Sequence, residues 1–497
     1  MNKIIQCRDQ EKALLEEMLA SDRSELLTIY GRRRIGKTFL IREFFERKKK
    51  IVFFKAMGLR KGTMAMQLEN FTTQIASVFY GGAPLTQPSS WNEAFDLLTK
   101  AMSLKTSAEN KLVIFLDELP WMETRNSKLL QNLEYYWNLH WSMNPKIKLI
   151  VCGSSSSWII KKIINNKGGL HNRTTRKIHL RPFTLREIKT FLKSNRVSLS
   201  DEQITQLYMV TGGVPFYLLN IKPGLSAAQI IENLAFTQDG LLFSEFNTLF
   251  SSLFDDYQVY IDILRIIAET REGIGQDELL NKLDASLQGA GGLDKLQALE
   301  DADFIRGFKP HFNKKKGVYY KIIDEYTLFY FQWIEPIKET LQSHDLEPGN
   351  WLELQNTPAW NSWCGYAFEA ICYKHLSAIR KKLGISPTAI ANSWRYIPKK
   401  GESERGAQID LLFDRRDDAI TLCEIKYSKD PFVITKDYAI ALNRKKKVFS
   451  ERTGTKKQLF MAMVAAHGLK SSPIMMQEDG SSVDLISGVV TLDDFFD

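Results

Sequence analysis

Residues 31–38 have the sequence GRRRIGKT, which matches the pattern of a phosphate-binding loop (P-loop) at every fixed position. An apolar run, Leu26–Tyr30, precedes the loop and a helix-like pattern follows it, which is the strand–loop–helix setting that this motif needs. Gly31 and Gly36 allow the backbone to curl so that its amide groups face phosphate oxygens, and the start of the helix adds partial positive charge. The sequence therefore predicts a nucleotide site on a parallel α/β sheet.

This loop supplies the predicted contacts for ATP and its Mg²⁺ ion. Lys37 is expected to bridge the β- and γ-phosphates, and Thr38 is expected to give its hydroxyl group to Mg²⁺. For the three arginine side chains two interpretations stay open, contact with the nucleotide or contact with solvent or a partner. The full set of candidate nucleotide-binding residues in the loop is Gly31, Arg32, Arg33, Arg34, Ile35, Gly36, Lys37, Thr38 and Phe39.

Residues 112–118, with the sequence LVIFLDE, read as a buried strand that ends in two acids. Asp117 is predicted to hold Mg²⁺ through water, and Glu118 is predicted to polarise the attacking water as a catalytic residue. Adjacent Asp and Glu favour an ATPase of the additional-strand class over a GTPase. The P-loop and this strand together predict ATP hydrolysis.

Two further features bear on hydrolysis. The strand pattern at 148–152 ends in the sequence GSSSS, and a polar residue at such a strand tip is placed to sense the γ-phosphate, although a simple turn also explains the serines. Arg173 precedes an apolar stretch and is a candidate catalytic finger, in cis or from a neighbouring subunit. The alternative for Arg173 is a surface salt bridge.

The order of the predicted elements indicates several domains. Strand and helix patterns alternate in residues 1–182, which predicts a parallel sheet covered by helices on both faces. Residues 183–250 are mostly helical, residues 251–325 combine three short helices with a hairpin in the outline of a winged helix, and residues 326–362 read as an aromatic-rich linker. Residues 363–497 begin with an amphipathic helix, 365–383, and continue with four strand patterns and one helix.

Composition and charge narrow the possible environment and partners. No stretch approaches the roughly 18 uninterrupted apolar residues of a membrane span, so we expect a cytoplasmic protein without a membrane partner. The five cysteines are odd in number and not spaced as zinc ligands, so we expect buried, reduced thiols. Residues 364–470 hold 21 of the 67 Lys and Arg residues and 11 of the 58 Asp and Glu residues, which leaves 46 and 47 elsewhere. The whole positive excess therefore lies in this segment, where it favours a polyanion or simply forms a solvated surface.

Acidic residues in the same basic segment form a second candidate site. Asp410 begins one strand pattern, Glu424 and Lys426 end the next, and Glu369 lies upstream on the helix. Carboxylates on adjacent strands with a nearby lysine are the arrangement of a metal-dependent nuclease. Glu369, Asp410 and Glu424 are the predicted metal ligands, and Lys426 is predicted to position or activate the attacking water. The alternative is the same fold without cleavage.

Basic clusters around these acids suit contacts with a phosphate backbone. The clusters are 444–447, with the sequence RKKK, and Lys456-Lys457. In the winged-helix segment, the candidate recognition helix 293–301 carries one lysine and three acids, so it is a poor reader of bases. Lys314, Lys315 and Lys316, at the predicted hairpin tip, are placed to touch phosphate, but a packing or relay role for this segment is favoured over contact with DNA.

The motifs GRRRIGKT, LDE, CGSSSSW, LRPF and TGGVP together resemble the prokaryotic AAA+/STAND-like ATPases, in particular the archaeal-ATPase family, over residues 1–340. The resemblance implies a helical lid and a winged helix after the ATPase core, and it makes Gly213 and Pro215 further candidates for the nucleotide pocket. Residues 363–497 resemble the PD-(D/E)XK nuclease-like domain found at the C-terminus of that family. The expected architecture is therefore a P-loop parallel-sheet ATPase core, helical lid, winged helix and C-terminal mixed α/β restriction-endonuclease-like domain.

Two functions follow from these features. The first is a Mg²⁺-dependent ATPase coupled to a C-terminal module that binds DNA or another nucleic acid, with or without cleavage of it as a metal-dependent nuclease. The second is a nucleotide-controlled switch or DNA-binding regulator whose nuclease-like domain is inactive. A homo-oligomer and a protein partner are both compatible with either function.

Overall fold

The computed structural model describes residues 7–105, 110–165, 173–270, 272–309, 317–342, 349–398, 406–470, 474–476 and 482–497. The predicted hairpin tip with Lys314, Lys315 and Lys316 lies outside the described residues. No helix in the described part of the chain is long and apolar enough to span a bilayer.

A parallel five-stranded sheet forms the N-terminal domain, in the order β2-β3-β4-β1-β5. The strands are β1 (Glu25–Tyr30), β2 (Ile51–Met57), β3 (Lys111–Asp117), β4 (Ile147–Gly153) and β5 (Arg176–His179). The strand β4 lies between β1, which leads into the P-loop, and β3, which ends in the acids. The predicted additional strand is therefore present.

Helices cover both faces of this sheet, as the alternating pattern predicts. They are α1 (Asp9–Ala20), α2 (Lys37–Phe45), α3 (Met64–Phe79), α4 (Trp91–Lys105), α5 (Leu119–Met122), α6 (Leu129–Tyr136) and α7 (Ser156–Ile159). On β3, Val113 and Phe115 pack into one apolar cluster with α1 and α2, whereas Ile114 and Leu116 pack into another with α3, α4 and α6. Successive side chains of a strand point to opposite faces, so an almost uninterrupted apolar strand feeds both layers.

Five helices follow the sheet. They are α8 (Leu185–Ser194), α9 (Asp201–Thr211), α10 (Pro215–Leu218), α11 (Ala227–Ala235) and α12 (Leu241–Leu253). Thr184 and Glu187 form a reciprocal capping box that fixes the start of α8, and Ser200 caps α9. These helices agree with the mostly helical pattern predicted for residues 183–250.

Three helices and a small antiparallel sheet come next. The elements are α13 (Tyr257–Ala268), β6 (Ile274–Gly275), α14 (Gln276–Asn281), α15 (Ala290–Asp301), β7 (Ile305–Phe308) and β8 (Tyr319–Ile322), with the strand order β6-β8-β7. All three predicted helices and the predicted hairpin are observed. The short strand β6 adds a third strand that the sequence pattern did not predict.

Residues 326–362, predicted as a linker, consist largely of short packed helices. These are α16 (Glu325–Phe329), a π-helical turn at Tyr330–Ile334, a 3₁₀ turn at Glu335–Ile337, α17 (Lys338–Gln342), α18 (Asn350–Leu354) and the first turns of α19 (Pro358–Lys374). Four buried tryptophans, at 333, 351, 360 and 363, pack against one another edge to face or stacked. Because aromatic rings bury large apolar areas, this segment is held as part of the core.

The C-terminal domain is a mixed sheet in the order β15-β12-β11-β10-β9. Its elements are α20 (Leu376–Leu383), β9 (Ile390–Tyr396), β10 (Ala407–Asp414), β11 (Ala419–Lys426), α21 (Lys436–Thr453), β12 (Gln458–Ala465), β13 (Ile474–Met476), β14 (Ser482–Asp484) and β15 (Gly488–Val490). The strands β9, β10 and β11 run antiparallel, and β11, β12 and β15 run parallel. The four predicted strands are present, and β9 is an additional edge strand.

The single helix predicted at 365–383 is two helices that meet at His375. Burial lowers the pKa of His375 to about 4, so its ring is neutral at pH 7. Its Nε2 accepts a hydrogen bond of 3.1 Å from the backbone amide of Leu185, which begins α8. The break therefore joins the C-terminal domain to the helical segment. All five cysteines are buried and unpaired, as expected.

Candidate nucleotide site and carboxylate cluster

Backbone geometry forces glycine at two positions of the P-loop. Gly31 has a φ of +140°, and a Cβ atom there would lie 2.3 Å from the carbonyl oxygen of Leu180. Gly36 has a φ of +90° and forms the N-cap of α2. Both conformations disfavour any L side chain, so the loop curls at the helix N-terminus as the sequence predicts.

Inside the loop, Lys37 is buried and reaches back over the backbone. Its Nζ donates hydrogen bonds to the carbonyl oxygens of Gly31, at 2.7 Å, and Arg32, at 3.0 Å. The Thr38 hydroxyl donates to Asp117 Oδ1 at 3.0 Å. The other carboxylate oxygen of Asp117 is buried, accepts no hydrogen bond from the part of the chain that the structure describes and lies 3.4 Å from Lys55 Nζ.

This arrangement fits a Mg²⁺ ion. Hydroxyl and carboxylate oxygens are the ligands that Mg²⁺ prefers, and Thr38 and Asp117 bring one of each together. The Asp117 oxygen that accepts no hydrogen bond among the described residues adds negative charge that attracts the ion. Thr38 would hold the ion directly and Asp117 would hold it through water, as the sequence predicts.

Glu118 follows in a left-handed conformation, with a φ of 50°. Its Oε2 accepts hydrogen bonds from both the backbone amide and the hydroxyl of Ser154, each at 2.8 Å. Ser154 therefore is the serine at the tip of β4 that contacts the acid predicted to act on water. Ser156 is also buried, and its hydroxyl has no hydrogen-bond partner among the described residues.

Two of the three P-loop arginine side chains are paired with acids of this chain, which favours the partner interpretation over contact with the nucleotide. Arg32 is fully buried in an ion pair with Asp324, which begins α16, and its guanidinium lies 5.0 Å from the ring centre of Phe304. Arg34 pairs with Glu245 of α12 at 2.7 Å. Their charges are thus committed to acids from distant segments, although their backbone amides still belong to the loop.

The turn from Gly213 to Pro215, whose two end residues are further candidates for the nucleotide pocket, lies close to Arg34. Gly213 has a φ of +71°, and a Cβ atom there would lie 2.3 Å from the carbonyl oxygen of Phe183. Pro215 is buried at the first turn of α10, and the next residue, Phe216, stacks under the Arg34 guanidinium at 4.2 Å. The turn therefore contacts the P-loop through Arg34.

Arg173 lies at the opposite edge of the sheet. Two residues after Arg173, the Thr175 amide donates to the Leu26 carbonyl at 2.9 Å. This part of the chain therefore lies beside the start of β1. The P-loop follows the other end of β1, about 13 Å away at 3.3 Å per residue. Arg173 is exposed there, so its placement disfavours a finger in cis and is compatible with one that serves a neighbouring subunit.

In the C-terminal domain the predicted carboxylates do come together. Asp410 on β10 and Glu424 on β11 lie one step beyond the paired residues Leu411 and Cys423, and the Ile425 amide donates to Asp410 Oδ2 at 3.0 Å. Burial raises the pKa of Glu369 to about 7, and the negative charge of Asp410 adds to the effect. Burial and the charge of Glu424 also raise the pKa of Asp410.

Cations and a tyrosine occupy the Glu424 carboxylate. Lys445 donates to both of its oxygens, at 2.7 and 2.9 Å, Lys426 lies at 3.0 Å and the Tyr438 hydroxyl donates at 2.9 Å. Burial alone would raise the pKa of Glu424, but the two lysines hold it below the usual value. Among the described residues, no group of three or more His, Cys, Asp or Glu side chains is placed to hold a metal ion. The predicted metal shell of Glu369, Asp410 and Glu424 is therefore not assembled.

Comparison with known families gives two matches along the chain. Residues 8–221 match the model of an ATPase domain found predominantly in Archaea. Residues 330–447 match a second family, archaeal and bacterial proteins of unknown function, and this match begins inside the segment predicted as a linker. The nuclease-like assignment has no counterpart in these matches.

Two relatives in Methanocaldococcus jannaschii match a long and a short part of the chain. An uncharacterized protein is 26% identical over 430 residues, which are 84% of this chain and 87% of the relative. An uncharacterized ATP-binding protein is 45% identical over 42 residues, which are 8% of this chain and 71% of that protein.

Structural alignments include two archaeal proteins. The Walker-type ATPase of Pyrococcus abyssi aligns at 18% identity and a TM-score of 0.45, covering 66% of this chain and 96% of that one. The ORC2 protein of Aeropyrum pernix aligns at 17% identity and a TM-score of 0.41, covering 69% and 95%.

Several residues of these sites escaped the sequence interpretation. They are Lys55, Glu245 and Asp324 at the P-loop, and Lys445 and Tyr438 as partners of Glu424. Lys445 belongs to the cluster predicted to meet a phosphate backbone, but its charge is used on Glu424. Only Asp324 gave a usable signal in the sequence, because an aspartate directly before a helical pattern is typical of a helix N-cap. In the structure it caps α16 by accepting a hydrogen bond from the Thr327 amide.

Proposed function

We propose that this chain hydrolyses ATP with Mg²⁺ and uses its nucleotide state to control a C-terminal module that binds nucleic acid. The observation that carries the proposal is the site formed by Lys37, Thr38–Asp117 and Glu118–Ser154 at the carboxyl edge of the sheet. In this site Lys37 would neutralise phosphate charge and Glu118 would orient the attacking water. A bound Mg²⁺ ion supplies charge neutralisation between the phosphates.

Two ion pairs support control of the C-terminal module by the nucleotide. Arg32 in the P-loop pairs with Asp324, and the next residue, Glu325, pairs with Lys374 of α19 at 2.5 Å. Asp324 and Glu325 are both buried, so the start of α16 cannot shift without exposing or unpairing charge. A change in the P-loop would therefore reach α19, which also carries Glu369.

Charge supports nucleic acid as the ligand of the C-terminal module. The outer side of α21 borders an open hollow of about 580 Å³ that is lined by Lys446, Lys447 and Asn443 among others. Lysines at such a surface contact phosphate without reading sequence. The three helices and small sheet at 257–322 have the outline of a winged helix, which offers a second surface for the same ligand.

The decisive experiment measures ATP hydrolysis by the wild type and by Lys37→Ala, with and without duplex DNA. We expect Lys37→Ala to lose at least about a hundredfold in kcat/KM, since it removes the charge that faces the β- and γ-phosphates. Lys100→Gln is the matched control, because it removes one exposed lysine from α4. Equal turnover by Lys37→Ala and the control would refute the proposed ATPase site.

A second candidate function is metal-dependent cleavage of a phosphodiester. This function is favoured because Asp410 and Glu424 lie side by side on neighbouring strands. Glu369 is near enough for the charge of Asp410 to raise its pKa. Metal binding would require Glu424 to exchange its lysine contacts for the ion. Cleavage of labelled DNA and RNA with Mg²⁺ or Mn²⁺, lost in Asp410→Asn and Glu424→Gln but kept in Lys37→Ala, would support this function. Binding of nucleic acid without cleavage would instead support the nucleotide-controlled switch.

A further inference from the structure

A small cavity of about 50 Å³ separates the hairpin of β7 and β8 from α19. The charged side chains in its wall are Arg306, Lys321, Glu369 and Lys374, and Tyr373 forms one side. The volume exceeds the ~30 Å³ that a water molecule occupies in the liquid but is too small for a base. The cavity thus has room for one small polar group.

The two cations on the hairpin face each other. Arg306 and Lys321 are directly paired residues of β7 and β8, so their side chains leave the sheet on the same face. Like charges directly opposite on paired strands destabilise a sheet. Such a pair is expected where a negatively charged ligand compensates the repulsion.

Neither cation forms a close ion pair with the protein. Within the residues that the structure describes, no carboxylate lies within 4 Å of the Arg306 guanidinium or the Lys321 ammonium. Lys321 Nζ instead lies 3.9 Å from the ring centre of Tyr373, and Lys374 is paired with Glu325. Burial lowers the pKa of Lys321 to about 8 and the charge of Arg306 adds to the effect, whereas the charge of Glu369, which shares the cavity wall, opposes it.

We propose that Arg306 and Lys321 bind a phosphate group of the nucleic-acid backbone in this cavity. The proposal rests on the proposed nucleic-acid partner and assigns it a contact. Arg306 offers planar paired donors for two phosphate oxygens, and Lys321 offers a point charge from the opposite strand. Tyr373 connects the cavity to the carboxylate cluster, because its hydroxyl donates to the Asp410 carbonyl at 2.8 Å. A strand held here would therefore pass the cluster.

The test measures binding of a labelled duplex and a labelled single strand to the full-length chain as a function of salt. Arg306→Gln and Lys321→Gln are each expected to weaken binding about tenfold at low salt and to reduce the slope of log K against log salt by about one. Lys321→Arg keeps the charge and should keep the slope. Lys100→Gln, with the same loss of charge on the distant helix α4, should match the wild type. Unchanged affinity and slope in both Gln variants would overturn the proposal.

A second measurement distinguishes a site for free phosphate from a contact with the nucleic-acid backbone. Inorganic phosphate, compared with chloride at equal ionic strength, should raise the thermal unfolding midpoint of the wild type but not of Arg306→Gln. If the wild type binds no nucleic acid yet shows this shift, the anion site stands but the backbone contact and the proposed partner are both wrong. If nucleic acid binds normally to the variants and phosphate has no effect, the cavity is not an anion site and the partner stands.

Discussion

The nucleotide site and the carboxylate cluster both combine lysines with acids at strand ends, yet they use the lysines in opposite ways. Lys37 donates its hydrogen bonds to two backbone carbonyls, and one Asp117 oxygen has no hydrogen-bond partner among the described residues, with Lys55 Nζ 3.4 Å away. In the C-terminal domain, Lys445 and Lys426 bind Glu424 itself, and the Tyr438 hydroxyl donates to it as well. The acid of the first site therefore has one loosely paired oxygen, whereas the acid of the second site is held by three side chains.

The two sites also differ in what holds them. Residues 31–38 build most of the nucleotide site from one continuous stretch, and the backbone conformation of Gly31 and Gly36 fixes its shape. The carboxylate cluster gathers side chains from α19, β10, β11 and α21. A continuous loop is preorganised by its own backbone, whereas a dispersed cluster depends on every element that it joins.

The largest effect is expected from breaking the link between these regions at Asp324. In Asp324→Asn, the amide oxygen can still cap α16, but the buried Arg32 guanidinium loses its counter-charge. Removing one partner of a buried ion pair costs about 3–5 kcal/mol, so the free energy of unfolding in urea should fall by that amount.

The double variant Arg32→Met/Asp324→Asn serves as the control, because it removes both charges and keeps the cap that Asp324 provides to Thr327. A buried site without either charge avoids the cost of the unpaired guanidinium, so most of the lost stability should return while nucleotide control of the C-terminal domain is lost. A loss below about 1 kcal/mol in Asp324→Asn would mean that the pair is not a strong link between the two regions.

A smaller, pH-dependent effect should sharpen the comparison at the carboxylate cluster. Burial and Asp410 raise the pKa of Glu369 from 4.5 to about 7, so ionised Glu369 destabilises the folded protein. The penalty is absent below pH 4.5, grows between pH 4.5 and 7 and is complete above pH 7. Glu369→Gln should therefore raise the free energy of unfolding by about 2 kcal/mol at pH 8 and by less at pH 5.

Urea unfolding at both pH values checks this expectation. Glu353→Gln, on the short helix α18, is a suitable control because it removes the same charge outside the cluster. An equal gain at pH 5 and pH 8 would show that Glu369→Gln acts through packing and that ionisation of Glu369 is not the cause.

Local patterns predicted much of this molecule, because the information lies in neighbouring residues. The strands around the P-loop and the Asp117–Glu118 step follow from runs of fewer than ten residues, and the adjacency of Asp410 to Glu424 follows from two consecutive strand patterns joined by a short turn. The edge strand β9 was missed because its sequence, IANSWRY, lacks an apolar run. Its strand structure comes from pairing with β10.

Long-range partners could not be predicted for a different reason. Arg32 and Asp324 are 292 positions apart, and nothing in either local sequence indicates the other. The same applies to the pair of Lys445 and Glu424. A basic run on a helix is expected to face solvent, and only the folded structure shows that one of its lysines lies against the acid on β11. The aromatic-rich segment 326–362 has the composition of a packed core, but the distant part of its packing, such as the stacking of Trp351 on Phe236, cannot be read from its own sequence. Tertiary packing decides such cases, and a single sequence does not reveal it.

The smallest effect is expected at Ser154, which positions Glu118. Ser154→Ala removes the hydroxyl donor at 2.8 Å but keeps the backbone amide donor at the same distance, so Glu118 stays near its place with one hydrogen bond fewer. Losing one hydrogen bond to a charged group costs about 1.4 kcal/mol, or about tenfold in kcat, and the KM for ATP should not change. Glu118→Gln, which removes the charge itself, should lose far more. If Ser154→Ala hydrolyses ATP as fast as the wild type, the backbone amide alone positions Glu118. A loss as large as that of Glu118→Gln would instead mean that the serine hydroxyl contacts the reacting phosphate, as the position of Ser154 at the tip of β4 allows.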